Sequence, residues 1–168
     1  MKFSHKIRTL TTGAVIAGLY TALTMLSYAF GLDKGAIQLR LSETLAILPA
    51  FTPAAIPGLF LGCMLSSFLC GAHLLDVLFG SLVTLLAAMV CYAIRGAARW
   101  RFGALLLPLP NILLNALFIP FLLMLVYGVG DAYPFLFLTV GAGELITSGV
   151  LGMCLYLTVK KNYKFFAL

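Results

Sequence analysis

The 168-residue chain is 62% hydrophobic and only 10% charged. A soluble domain is closer to about 45–50% apolar and about 25% charged, so the composition excludes a water-facing globule. It predicts one integral membrane domain over residues 1–168. The formal net charge is +6, but nine of the 11 Lys and Arg residues fall into three separate clusters, which argues against a nucleic-acid-binding surface. These clusters are Lys2, Lys6 and Arg8; Arg95, Arg99 and Arg101; and Lys160, Lys161 and Lys164.

Long apolar runs cover most of the chain, and each could form a helix of the roughly 20 residues needed to cross a bilayer. The first run exceeds the about 7–15 residues of a signal-peptide core, so it is expected to be a retained helix. Five crossings would put the basic clusters on both sides of the membrane, whereas six would put all of them in the cytoplasm. The runs are residues 9–30, 45–70, 74–94, 105–127 and 134–159.

The extra crossing has to come from the second run, which begins within "IQLRLSETLAILPAFTPAAIPG" and contains Pro49, Pro53 and Pro57. Proline interrupts a helix, so the run is expected to break near 51–53 and reverse at membrane depth. Irregular backbone at that depth must line a cavity or be buried in protein, as at transporter binding sites.

The predicted fold is therefore an all-α integral membrane protein with six transmembrane helices, the second short and proline-broken, and with both termini cytoplasmic. The expected helices are residues 9–30, 43–51, 53–70, 74–95, 104–127 and 134–159.

Rare polar residues inside apolar runs are candidates for a binding site. Glu144 lies ten residues into the last run, and Asn111 and Asn115 share one helix face. Arg40 and Glu43 lie at the start of the short helix. Each of these residues could instead have a purely structural role. Arg40 could pair with Glu43, the two asparagines could bridge two helices, and Glu144 could be a protonated or Arg-paired carboxyl.

Asp76 opens the fourth span and is either a site residue or an interfacial helix cap. The four cysteines form no C-x-x-C pair and there are two histidines, so no metal site is expected. The chain also lacks a phosphate-binding loop and any nucleophile or metal motif of an enzyme. A non-enzymatic protein that binds no cofactor is therefore predicted, with energy for uphill transport supplied by a partner or an ion gradient.

Small residues line the first helix in two series, which allow close helix approach. They are expected either to pack inside this protein or to dock onto another membrane subunit. The series are Ala14, Gly18 and Ala22, and Gly13 and Ala17.

Four segments together resemble the QueT family of substrate-binding subunits (S components) of energy-coupling factor transporters, which are assigned to queuosine precursors. The segments are "IQLRLSETLAILPAFTPAAIPGLFLGCMLSSFL", "DVLFGSLVTLLAAMVCYAIR", "LPNILLNALFIPFLL" and "GAGELITSGVLGMCLY". The resemblance runs from about Thr9 to Tyr156, and "FTPAAIPGLFLG" is its most specific part.

The resemblance implies a six-helix protein of the bacterial plasma membrane that docks on a transmembrane coupling subunit through Ala14, Gly18 and Ala22. Two partner ATPases, not this chain, would use ATP. The implied substrate is a 7-deazaguanine base or queuine, whose guanine edge a carboxylate can grip with two hydrogen bonds.

If the substrate is such a base, the first candidate to bind the guanine edge is Glu144 and the second is Glu43. Asn111 and Asn115 would hydrogen-bond to the carbonyl or the ring nitrogens. Tyr20, Phe60 or Tyr92 would stack on the ring. Two alternatives are an S component for another vitamin-like solute and a stand-alone secondary transporter or channel.

Overall fold

The computed structural model describes residues 2–32, 38–100 and 102–162, with side chains described from residue 6 onward. Arg101 and Lys164, which belong to the predicted basic clusters, lie outside these ranges. The described residues form helices that are joined by turns and short irregular segments. The helices are α1 (Lys2–Ala29), a 3₁₀ helix (Leu41–Ala50), α2 (Ala55–Leu69), α3 (Leu74–Ala93), α4 (Leu109–Tyr127), α5 (Tyr133–Glu144), a π-helical turn (Leu145–Leu151) and α6 (Gly152–Lys161), with short 3₁₀ turns at Ile94–Arg99 and Gly103–Leu106.

Within the described residues, four helical segments are long and apolar enough to cross a membrane, and two shorter apolar helices accompany them. The helical membrane fold is thus confirmed, while six crossings and cytoplasmic termini stay predictions. The long segments are Lys6–Ala29, Leu74–Arg99, Gly103–Tyr127 and Tyr133–Lys161, and the short ones are Leu41–Ala50 and Ala55–Leu69.

The second apolar run is divided between the 3₁₀ helix and α2, with the intervening turn at 51–54. Pro49 lies inside the 3₁₀ helix, whose tighter turn follows i to i+3 hydrogen bonds, such as that from Phe51 N to Leu48 O at 2.9 Å. A 3₁₀ helix of ten residues is unusual, since most end after three or four. The surrounding helices hold it in place, because it packs against α1, α3, α6 and the π-helical turn.

The last span is one long helix interrupted by the π-helical turn Leu145–Leu151, a feature that the sequence did not predict. This turn directly follows Glu144, and it packs against the 3₁₀ helix. Two segments without α geometry therefore meet in the middle of the fold.

Helices α1 and α2 are neighbours because glycines let their backbones approach closely. A Cβ at Gly62 would lie 2.9 Å from Ala17 O, and a Cβ at Gly58 would lie 2.7 Å from Gly13 O. By contrast, a Cβ at Gly18 would meet no atom within 4 Å. The close contact thus uses one face of α1 and leaves Gly18 outside it.

We expect Gly62→Ala to lower the stability of the purified protein by about 1–3 kcal/mol, because the added methyl group meets backbone that cannot move aside easily. The measurement is the midpoint of thermal unfolding in detergent. Gly18→Ala is the matched control and should leave the midpoint unchanged or slightly higher, since alanine favours helix. Equal midpoints for both variants would contradict this account of the α1–α2 contact.

Candidate functional site

Four polar side chains from three parts of the chain meet inside the helix bundle. Glu43 comes from the 3₁₀ helix and is 2% exposed, and Glu144 ends α5 and is 8% exposed. Asn111 and Asn115 are one turn apart on α4 and are also buried. The sequence predicted all four residues, and the structure brings them into one carboxylate–amide cluster.

The amide of Asn111 joins the two carboxylates. Its Nδ2 donates to Glu43 Oε2 and to Glu144 Oε2, both at 3.0 Å. Asn115 Nδ2 donates to the other oxygen of Glu144 at 3.1 Å. Since an amide nitrogen carries two hydrogens, Asn111 can satisfy both carboxylates at once.

A fifth residue, Tyr20 of α1, completes the cluster, because its hydroxyl donates to Glu43 Oε1. Tyr20 is 1% exposed. The sequence offered it as a stacking residue and missed this hydrogen bond. A pattern in the sequence could have indicated this bond, because Thr24 and Ser27 continue a polar face from Tyr20 along the mostly apolar α1.

Helix α1 holds the start of the 3₁₀ helix through this polar face. Thr24 Oγ1 donates to Ser42 Oγ at 2.8 Å, and Leu41 N donates to Ser27 Oγ at 2.9 Å. These bonds hold Leu41 and Ser42, the two residues between Arg40 and Glu43. The carboxylate of Glu43 is therefore positioned from α1 as well as from α4.

The 3₁₀ helix and the π-helical turn are tied together next to the cluster. Thr44 Oγ1 donates to Thr147 O at 3.3 Å. Two buried polar atoms here, Asn111 Oδ1 and Ser148 Oγ, have no hydrogen-bond partner within the described part of the chain. Because buried polar atoms are normally satisfied, Asn111 Oδ1 is an unused acceptor inside a site already rich in acceptors.

Two cavities lie beside the cluster and share Gln38 and Arg40 as lining residues. The inner cavity has a volume of about 20 Å³ and touches Glu43, Glu144 and Asn115. The outer cavity, about 430 Å³, opens between the ends of α1, α2 and α4 and the start of α3. We call it the vestibule; its lining includes Ser27, Tyr28, Asp76 and Tyr127.

Arg40 stands between the two cavities, half-buried, and no ion pair joins it to Glu43 or to another acidic residue among those described. Burial lowers the pKa of the Arg40 guanidinium, but the neighbouring Tyr20, Asp76, Cys63 and Glu43 raise it on balance. Arg40 therefore remains a cation. Its charge is available to a ligand or to the carboxylates.

Asp76 lies at the vestibule and not in the cluster. Its Oδ2 accepts from the Tyr127 hydroxyl at 2.9 Å, and that hydroxyl in turn accepts from His73 N at 3.2 Å. Asp76 thus connects α3 with α4 at the mouth. Phe60 and Tyr92, the other two stacking candidates, line neither cavity.

The two small-residue series of α1 face different surroundings. Gly13 and Ala17 contact α2, as described above, whereas Ala14, Gly18 and Ala22 are exposed. Docking onto a partner stays a prediction for this series. Among the residues that the structure describes, no group of three or more His, Cys, Asp or Glu side chains is placed to hold a metal ion.

Comparison with known proteins gives one family and one relative. A family model described as "QueT transporter" matches residues 10–161. The "Queuosine precursor transporter QueT" of Lactococcus lactis subsp. cremoris (strain MG1363) is 38% identical over 76 residues, which cover 45% of this chain and 44% of the relative. The aligned segment thus spans less than half of either protein. No solved structure matches the chain.

Tyr20→Phe should destabilise the protein by about 1–3 kcal/mol, because it removes the donor to Glu43 and leaves a buried carboxylate oxygen unsatisfied. The thermal unfolding midpoint in detergent measures the effect. Tyr133→Phe is the matched control, since it removes a hydroxyl that donates to Leu117 O at an exposed position. A drop no larger for Tyr20→Phe than for the control would show that the hydroxyl does not hold Glu43.

Proposed function

Because the chain belongs to the QueT transporter family, we propose that it is the membrane-embedded substrate-binding subunit of an energy-coupling factor uptake transporter for a queuosine precursor. The substrate would be a 7-deazaguanine base or queuine. Membership of a transporter family implies a non-enzymatic role in a membrane. The relative's name supports the substrate, and the acceptor-rich cluster supports its chemical class.

In this proposal the chain crosses the bacterial plasma membrane six times, with both termini in the cytoplasm. The 3₁₀ helix and α2 each span less than the roughly 30 Å of the hydrocarbon core, since α2 has 15 residues that rise about 1.5 Å each. They would form the two short crossings, which meet at the turn after Ala50. The basic residues near both ends and at Arg95 and Arg99 favour this orientation.

The observation that carries the substrate class is the excess of hydrogen-bond acceptors in the cluster. Each of the four carboxylate oxygens accepts one hydrogen bond and has a lone pair left for another, and Asn111 Oδ1 accepts none within the described part of the chain. The guanine edge of a 7-deazaguanine presents an N–H and an amino group side by side. A carboxylate can accept both at once in a charge-assisted, bidentate contact. Asn115, whose amide nitrogen uses one of its two hydrogens on Glu144, would donate the other to the carbonyl of the base.

The substrate would enter through the vestibule, whose volume of about 430 Å³ lies within the roughly 300–1,000 Å³ of small-molecule pockets. The inner cavity of about 20 Å³ has room for about one water molecule. Binding therefore requires Arg40 and Gln38, which line both cavities, to move aside. Such a step would let the vestibule and the cluster form one continuous site.

Energy would come from outside the chain, through a transmembrane coupling subunit and two ATPase subunits that use ATP. The exposed series Ala14, Gly18 and Ala22 would contact the coupling subunit, since small residues let helices approach closely within a membrane. Gly13 and Ala17 support this surface from behind by holding α1 against α2.

We expect the purified protein to bind a 7-deazaguanine in detergent, and Glu43→Gln and Glu144→Gln each to weaken that binding roughly tenfold to hundredfold. This range corresponds to the about 1–3 kcal/mol of a good bidentate base contact. The experiment is a calorimetric titration with 7-aminomethyl-7-deazaguanine, 7-cyano-7-deazaguanine, queuine and guanine.

Asp131→Asn makes a comparable charge change in an exposed loop and serves as the control variant. Riboflavin and biotin serve as control ligands. Unchanged affinity in both glutamine variants would remove the cluster as the site, and tight binding of a vitamin alone would replace the substrate class.

Gly18→Leu should leave ligand binding intact and abolish copurification with the coupling subunit, because the larger side chain blocks close helix approach. Leu19→Phe, on a neighbouring exposed face of α1, is the control and should copurify normally. ATP-independent uptake into liposomes by this chain alone would instead favour a stand-alone transporter.

A further inference from the structure

The carboxylate–amide cluster holds more negative charge than its neighbours balance. Glu43 and Glu144 accept from the same nitrogen of Asn111, so the two carboxylates are close neighbours in a buried site. Tyr20, Asn111 and Asn115 offer them hydrogen bonds but no positive charge. Two carboxylates that share a site of low dielectric do not both ionise readily.

Arg40 is the cation that lines the inner cavity, and it makes no ion pair with either glutamate. Arg40 and Asp76 also both line the vestibule, and the negative charge of Asp76 acts on Arg40 together with that of Glu43. The single positive charge of Arg40 therefore has to offset the negative charges of three carboxylates. The charges that act on Glu144 are those of Glu43 and Arg40. The titratable groups that act on Arg40 are Tyr20 of α1, Glu43 of the 3₁₀ helix, Cys63 of α2 and Asp76 of α3, and Tyr20 also donates to Glu43.

We propose that Glu43 and Glu144 share one proton in the ligand-free protein, and that binding of a ligand with N–H donors releases this proton to water. The proton occupies one carboxyl oxygen of the pair, and Arg40 offsets the remaining negative charge. When a guanine-type edge enters, its N–H groups take the place of the proton as partners of the carboxylate oxygens. The displaced proton leaves through the vestibule.

The unpartnered Asn111 Oδ1 supports a ligand at this position, since the atom is buried and belongs to the amide that joins the two carboxylates. The inference rests on the proposed function, because it assumes that the cluster contacts the ligand. It adds that proton release and ligand binding are one linked equilibrium.

Linkage fixes the direction of the pH dependence. The free pair binds more protons than the ligand-bound pair, so ligand affinity rises with pH by as much as about tenfold per pH unit. The rise ends once the free pair has itself lost the shared proton. Affinity would fall with pH if binding took up a proton instead.

The test is calorimetric titration with 7-aminomethyl-7-deazaguanine and 7-cyano-7-deazaguanine between pH 5 and 8, in pairs of buffers that differ in ionisation enthalpy. The first probe keeps its charge over this range, because an alkyl amine ionises near about 10, and the second has no such amine. We expect release of close to one proton per bound ligand. Glu144→Gln should abolish the release, and Asp131→Asn should leave it unchanged.

Infrared spectroscopy of the ligand-free protein tests the shared proton without any ligand. We expect a protonated-carboxyl band in the wild type that is absent from both Glu43→Gln and Glu144→Gln. Binding with no proton release and no change of affinity across the pH range would overturn the inference while leaving the proposed function intact. If neither these probes nor queuine bind, the proposed function fails, and the absence of the infrared band would separately overturn the shared proton.

Discussion

The hydrogen bonds from the Asn111 amide to Glu43 and Glu144 are the interaction on which the rest of the interior depends. A buried carboxylate is costly unless it is hydrogen-bonded and its charge is offset. An asparagine on α4 can serve two carboxylates because its nitrogen carries two hydrogens. The bond pair therefore joins the 3₁₀ helix, α4 and the last span around one buried polar centre.

The backbone near this centre departs from α geometry on both sides. The 3₁₀ helix carries Glu43, and the π-helical turn begins directly after Glu144. Both departures are sheltered by packing against other helices, as irregular backbone within a membrane must be. Short π-helical turns frequently occur at functional sites, and here one follows a carboxylate whose partners come from a neighbouring helix.

Much of the site could be predicted because polar residues are conspicuous in apolar helices. Glu144 and the Asn111–Asn115 pair stood out by rarity and by i, i+4 spacing, and the prolines indicated the break before α2. The Tyr20 bond could not be predicted, since it depends on how α1 is rotated against its neighbours. The same rotation decided that Gly13 and Ala17 face α2 while Gly18 is exposed, although both series look alike in sequence.

Helix α1 connects the outer surface to the buried centre without a long chain of contacts. Its exposed side carries the small residues around Gly18, and its inner side donates from Tyr20 to Glu43 and from Thr24 to Ser42. Because a helix of this length moves largely as one body, a displacement of α1 changes the geometry of both bonds. A partner that binds the outer face of α1 would therefore act directly on the position of Glu43. Binding on one side of α1 and the geometry of Glu43 on its other side would be linked through this single helix.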